Sequence, residues 1–346
     1  MTLLRRNLLT VAAAAALSLG ATATLSVAQD VTLRLHQFLP PQANVPKNII
    51  APWIEQVQEA SGGRIKIDSF PSMQLGGKPP ELIGQAIDGV ADIVWTVSGY
   101  TPGRFPHTEV FELPFMMTNA EATSRAYWDM AQKYMVDGEF SDFHLLAAWV
   151  HGPGLIHSAD PIKMPEDLNG VKLRAPTRVT NMMFAGMGAT AVGMPVPAVP
   201  ESLSKGVIDG AVIPWEVTGA LKVPELVTNH LEFGDASLYT TTFLFAMNKD
   251  AYNAMPDDLR AILDANSGAE LSAFAGKQMQ LDDGPARENA LDLGNDITTL
   301  SPEEVDAWRA AAAPTVEKWI AEVADQGLDG AALIEEAKAL IAQYTN

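Results

Sequence analysis

Residues 170–178 read GVKLRAPTR and residues 199–216 read VPESLSKGVIDGAVIPWE. The first stretch predicts a short apolar strand that delivers Arg174 and Arg178 just past its end. Pro176 removes a backbone donor and holds the preceding residue extended, so this corner cannot continue as a helix. An arginine fixed in this way is pre-organised to bind a carboxylate through two parallel hydrogen bonds. The alternative, an ordinary surface ion pair, stays open for either arginine taken alone.

The second stretch resembles an earlier segment of the same chain, and we call this similarity the internal echo. Residues 86–95 (AIDGVADIVW) and residues 207–215 (VIDGAVIPW) each predict a helix end, an Asp-Gly turn and a short buried strand with a tryptophan at its end. In open α/β sheets, ligands bind outside the carboxyl ends of the strands. We therefore expect Trp95 and Trp215 to face one shared cleft, although two ordinary core tryptophans remain the alternative.

Helical and strand patterns alternate along the chain, which predicts an α/β fold with mostly parallel sheets. A chain of 346 residues exceeds the size at which a single core keeps growing, so two lobes with a cleft between them are expected. We assign residues 30–150 and 240–280 to lobe I, and residues 151–239 and 281–346 to lobe II.

The end of the chain is predicted to be helical. A long helix that starts near residue 256 is expected to kink or break at Gly284-Pro285, because proline interrupts helical hydrogen bonding. A last amphipathic helix, residues 331–344, is expected to cover a lobe.

The first 28 residues are predicted to be a signal peptide. Arg5 and Arg6 precede an apolar stretch at residues 8–19, and residues 26–28 (SVA) form a small-residue cleavage site. We interpret it as a Sec signal rather than a twin-arginine signal. No other segment is apolar enough to span a membrane, so a periplasmic protein that is not membrane-embedded is expected.

Composition excludes several function classes. The formal net charge of −19 excludes the basic surface of a nucleic-acid-binding protein. Zero cysteines exclude disulfides and thiolate sites, and the six histidines lack metal-ligand spacing, so no metal or cofactor is predicted. Nucleophile-elbow, P-loop and dinucleotide-binding motifs are absent from the sequence. An enzyme is therefore not predicted, although an exported lyase or hydrolase remains an alternative.

Aromatic residues at or just past predicted strand ends are candidates for the walls of a binding site. An apolar pocket with a few placed polar groups is the usual form of a small-molecule site. Each aromatic residue could equally belong to the core. With two polar neighbours added, the candidates besides the two arginines are Phe38, Trp95, Tyr100, Trp149, His151, Trp215 and Glu216.

Five segments in order resemble the periplasmic solute-binding proteins of tripartite ATP-independent (TRAP) transporters, of the dicarboxylate-receptor type. They are LHQFLPP (35–41), SGYTPGRFPHTEVFELPF (98–115), PEDLNGVKLR (165–174), VPESLSKGVIDG (199–210) and MNK (247–249). The resemblance implies two lobes that close on a ligand and a long helix that braces both. It also implies delivery of the ligand to TRAP membrane subunits.

The resemblance also implies roles for particular residues. Arg174 matches the family's selectivity arginine, which pairs with a ligand carboxylate. A frequent second arginine near residues 152–155 is missing, and so is a Glu-Asn pair after the Asp-Gly turn. We therefore expect the ligand to be a small organic acid, preferably an aromatic monocarboxylate, with Arg178 as a second hydrogen-bond donor to it. We expect the receptor to be a monomer. An aliphatic keto or hydroxy acid is the alternative ligand.

Overall fold

The computed structural model describes residues 30–345, so the predicted signal peptide lies outside the described residues. Strands and helices alternate as the sequence predicts. The strands are β1 (Val31–His36), β2 (Ile65–Phe70), β3 (Ile93–Val97), β4 (Phe143–Val150), β5 (Gly154–Ser158), β6 (Lys172–Ala175), β7 (Thr190–Gly193), β8 (Gly210–Pro214), β9 (Asn229–Glu232), β10 (Thr242–Asn248) and β11 (Asp296–Thr299). The helices are α1 (Ala51–Ala60), α2 (Leu82–Ile87), α3 (Ala120–Met130), α4 (Arg178–Gly186), α5 (Val199–Ser204), α6 (Trp215–Leu221), α7 (Lys249–Ala254), α8 (Asp257–Ala265), α9 (Ala269–Asp292), α10 (Pro302–Ala324) and α11 (Gly330–Thr345).

The strands form two sheets, and the larger hydrophobic core includes residues of both lobes. The sheet of lobe I has the order β2-β1-β3-β10-β4, and that of lobe II has the order β11-β9-β5-β8-β6-β7. The predicted two-lobed α/β fold is confirmed. The chain passes from the first sheet to the second between β4 and β5, returns between β9 and β10, and enters the second sheet again at β11.

Both sheets are mostly parallel, as the sequence predicts, and each contains one antiparallel strand. Strand β10 is antiparallel to β3 and β4, and β5 is antiparallel to β8 and β9. The cause is the crossing of the chain between lobes. A strand that arrives from the other lobe enters its sheet at the carboxyl ends of the parallel strands, so it must run against them.

Helix α9 braces the two lobes by packing on α3 and β4 of lobe I and on α6 of lobe II. It continues through Pro285, so the predicted break there is wrong. The break falls instead between α8 and α9, where Gly268 has a φ of +82°, a conformation that glycine adopts without steric cost.

The last helix, α11, packs on α3 of lobe I. Its buried residues Leu333, Ile334 and Ile341 join the larger hydrophobic core. The assignment of residues 281–346 to lobe II is therefore wrong for this helix, because its apolar face is buried against lobe I. The remaining lobe boundaries stay a prediction. In residues 30–345, no helix combines the length and apolarity needed to cross a membrane.

Candidate functional site

A cavity lies between the lobes at the carboxyl ends of β1, β3, β6 and β8, where the sequence predicts the site. Its empty volume, including the opening to solvent, is about 390 Å³. Both lobes contribute to its walls. The lining residues are Phe38, Leu39, Trp95, Val97, Tyr100, His151, Arg174, Pro176, Val196, Ile213, Pro214, Glu216, Val217, Tyr239, Thr241 and Phe243.

The guanidinium of Arg174 is the main charged group of the cavity. It is held at the end of β6, with only 2% of the residue exposed to solvent. Nε donates to the carbonyl of Met194 at 3.0 Å, and Nη1 donates to the carbonyl of Val212 at 2.9 Å. Within residues 30–345, no carboxylate pairs with it. Burial lowers the pKa of Arg174 because it penalises the charged form.

A buried cation held only by neutral acceptors is costly unless an anion joins it. The two carbonyl bonds fix the orientation of the guanidinium, since its planar fork has few ways to satisfy both at once. Arg174 is thus pre-organised for an anionic group that enters the cavity from solvent.

Aromatic rings form one wall of the cavity. Phe38 stacks on Trp95 with ring centroids 4.6 Å apart and planes inclined by 16°, and Phe243 stacks on the same indole at 5.3 Å. Tyr100 meets Phe38 edge-on at 5.7 Å. Such a wall favours a flat apolar body, because ring pairs contribute about 0.5–1.5 kcal/mol beyond the burial of area.

Three polar side chains surround the guanidinium. The Tyr100 hydroxyl accepts the backbone N–H of Val196 at 2.9 Å. The Tyr239 hydroxyl is buried and has no hydrogen-bond partner among the described residues. His151 Nδ1 lies 2.6 Å from the carbonyl of Gly152 and donates to it, which leaves Nε2 as an acceptor. Burial, with a contribution from Arg174, lowers the pKa of His151 to about 4, so this imidazole is neutral at pH 7.

Glu216 brings a carboxyl group into the same cavity. It follows β8 as the second residue of α6, and only 4% of it is exposed. Its backbone N–H donates to Asp283 Oδ1 at 2.9 Å, and its carbonyl accepts from Asn44 Nδ2 at 2.6 Å. Burial raises the pKa of Glu216 well above its usual range, and the charges of Asp283 and Asp282 raise it further.

The structure brings six of the nine predicted site residues to the cavity: Phe38, Trp95, Tyr100, His151, Arg174 and Glu216. It places Trp215 elsewhere. The Trp215 indole donates to Glu232 at 2.8 Å and packs on His157 and His230 inside lobe II. The expectation that both tryptophans face one cleft is therefore wrong for Trp215.

Trp149 and Arg178 also lie outside the cavity lining. Trp149 stacks parallel to Trp95 at 6.3 Å and lies one layer behind the wall. Arg178 forms ion pairs with Glu109 and Glu322, so its guanidinium is already occupied by two carboxylates.

Two lining residues that the sequence analysis missed, Tyr239 and Phe243, lie where the chain returns to lobe I. The signal that could have identified them is the return of the chain to lobe I, because a strand that begins between two lobes begins at the cleft.

Two α/β lobes, a bracing helix and an interlobe cavity with a buried cation define a two-lobed ligand receptor. Residues 36–322 match the family described as bacterial extracellular solute-binding protein, family 7. The chain belongs to this family, which confirms the resemblance seen in the sequence. Its TRAP members are periplasmic receptors that bind small acids and work with membrane subunits.

Three similar proteins illustrate the range of the family. A TRAP solute-binding protein from Rhodoferax ferrireducens, solved with copurified benzoate, is 48% identical with a TM-score of 0.89, over 91% of this chain and 98% of that chain. A marine metagenome TRAP protein specific for aromatic acids, solved with 3-hydroxybenzoate, is 47% identical with a TM-score of 0.90, over 92% and 100%. The C4-dicarboxylate-binding periplasmic protein DctP of Rhodobacter capsulatus is 25% identical over 99% of this chain and all of its own.

Proposed function

We propose that this protein is the periplasmic receptor of a TRAP transporter for an aromatic monocarboxylate. In this proposal Arg174 binds the carboxylate, and the rings of Phe38, Trp95 and Phe243 pack on the aromatic body. The observation that carries it is the buried guanidinium of Arg174, which has no carboxylate partner in residues 30–345 and faces an aromatic cavity.

Two further observations support the ligand class. The cavity holds one buried cation, so a single carboxylate balances it, whereas a C4-dicarboxylate would bring a second charge towards Glu216 and Asp283. The relatives solved with benzoate and 3-hydroxybenzoate share almost half of their residues with this chain. We also propose that the protein acts as a monomer and releases its ligand unchanged. We propose that residues 1–28 direct its export and are then cleaved off.

A titration tests this proposal directly. Benzoate, 3-hydroxybenzoate and cinnamate are compared with pyruvate, lactate and succinate, with tryptophan fluorescence as the readout because Trp95 lines the cavity. At least one aromatic acid is expected to bind with micromolar or tighter affinity and to be recovered unchanged. Tight binding of an aliphatic acid, with no response to any aromatic acid, would contradict the proposed ligand class.

A further inference from the structure

The carboxyl group of Glu216 is a buried polar group whose hydrogen bonding is incomplete. Its Oε2 is inaccessible to solvent and has no partner among the described residues, although Glu216 lines the cavity. A buried oxygen without a partner is destabilising by an amount comparable to a lost hydrogen bond. A native site that retains such an atom is suited to a ligand that supplies the missing bond.

The backbone that carries this carboxyl group is held from both sides. Asn44 of lobe I and Asp283 of α9 hold the backbone of Glu216 through its carbonyl and its N–H. Arg174 is held by the carbonyls of Met194 and Val212, so different residues of the cavity hold Glu216 and Arg174, and one ligand can meet each of them with a different group.

The chemistry of the group at this position follows from the local charges. Burial raises the pKa of Asp283 to about 8 and that of Glu216 well above its usual range, so both groups are shifted towards the protonated form. A protonated carboxyl both donates and accepts a hydrogen bond. A second carboxylate on the ligand would be buried here without a cation to pair with it, and an alkyl group would leave Oε2 without a partner. A hydroxyl group carries no charge and supplies a hydrogen-bond partner for Oε2, so it suits this position.

We propose that Glu216 recognises a hydroxyl group on the aromatic ring of the ligand, at a ring position remote from the carboxylate that Arg174 binds. The natural ligand class is then a hydroxylated aromatic monocarboxylate. This inference rests on the proposed function and adds to it a residue that sets specificity.

The test measures one ratio in several variants. It is the ratio of the Kd of 3-methylbenzoate or 4-methylbenzoate to the Kd of the matching hydroxybenzoate, because a methyl group has the size of a hydroxyl group without its hydrogen bonds. Benzoate is titrated alongside. The variants are Glu216→Met, Glu216→Gln and Glu201→Met, where Glu201 is an exposed glutamate of lobe II that pairs only with Lys205. Thermal melting confirms that each variant is folded.

The wild type and Glu201→Met are expected to prefer at least one hydroxybenzoate by about three- to tenfold, the usual contribution of one hydrogen bond. Glu216→Gln should keep this preference, because a neutral amide also donates and accepts, and Glu216→Met should lose it. A preference that persists in Glu216→Met, or a wild type that binds benzoate without preferring any hydroxybenzoate, would overturn the inference and leave the proposed function intact. A wild type that binds no aromatic acid at all would overturn the proposed function itself.

Discussion

Glu109 of lobe I and Arg178 of lobe II form an ion pair across the boundary between the lobes. Arg178 Nε donates to Glu109 Oε1 at 2.9 Å, and a second guanidinium nitrogen contacts Oε2. Glu109 is only 5% exposed, and it also accepts the indole N–H of Trp319 from α10 at 2.9 Å. One buried carboxylate of lobe I is thus held by two groups of lobe II, and its partner Arg178 also pairs with Glu322.

We predict that Arg178→Met lowers stability more than it lowers ligand affinity. The substitution leaves Glu109 buried without its cation, which we expect to destabilise the protein by about 1–3 kcal/mol because Arg178 is partly exposed. Chemical denaturation measures the change. The double variant Arg178→Met/Glu109→Gln should recover part of the loss. A control, Lys205→Met, breaks an exposed pair and should change stability by at most about 1 kcal/mol. A loss of affinity as large as that of an Arg174 variant, at unchanged stability, would instead make Arg178 a ligand contact.

We predict that Gly276→Ala is strongly destabilising, because α3 and α9 approach closely at this residue. An added Cβ would lie 2.5 Å from the carbonyl oxygen of Ala120 and 3.0 Å from its carbon, and this backbone cannot move without shifting α3. Overpacking of this kind typically costs about 1–3 kcal/mol. The matched control is Gly284→Ala in the same helix, where nothing lies within 4 Å of the added atom.

The two alanine variants should change the melting temperature in opposite directions. At Gly284, alanine removes the cost of glycine in a helix interior, about 1 kcal/mol, so this variant should melt at or above the wild-type temperature. Equal melting temperatures for both variants would show that the helices are not in close contact at Gly276.

We predict that the contribution of Asp283 to stability falls as the pH rises from about 4 to about 8. Burial raises the pKa of Asp283 from 3.8 to about 8, so the folded state holds a proton that the unfolded state releases in this range. The folded state binds more protons, and the free energy of unfolding therefore decreases with pH, by at most about 1.4 kcal/mol per pH unit for one group. Asp283→Asn should flatten this slope when urea unfolding is measured at several pH values. A slope unchanged in the variant would show that Asp283 titrates normally.

The fold and the position of Arg174 in the cavity could be predicted from the sequence because both depend on local patterns. Strand and helix periodicity, the corner at Pro176 and the order of the motifs place Arg174 at a strand end within a cleft. The chain crossings were harder to predict, since nothing local distinguishes a strand that arrives from the other lobe. The antiparallel strands and the lining residues Tyr239 and Phe243 follow from those crossings.

The similarity between the two Asp-Gly segments gave a wrong prediction for Trp215, because the two tryptophans differ by one residue in their distance from the Asp-Gly turn. Trp95 is the seventh residue after Asp88, whereas Trp215 is the sixth residue after Asp209. Trp215 and Glu216 are the first two residues of α6, where successive side chains point about 100° apart around the helix axis, so a shift by one residue gives a side chain a different direction. Glu216, the seventh residue after Asp209, lines the cavity as Trp95 does.

The most direct test of the proposed receptor function is the affinity of Arg174 variants for benzoate, or for the aromatic acid that binds the wild type best. Arg174→Met keeps the volume of the side chain and removes its charge, and Arg174→Lys keeps the charge and removes the fork. Calorimetry should show a loss of about 30-fold or more for Arg174→Met, which corresponds to 2 kcal/mol or more, and a substantial loss for Arg174→Lys. The ligand-free Arg174→Met protein should melt no lower than the wild type, since the variant removes a buried unpaired charge. Binding of the aromatic acid by Arg174→Met within about threefold of the wild type, a difference well below that of a lost charged partner, would contradict the account.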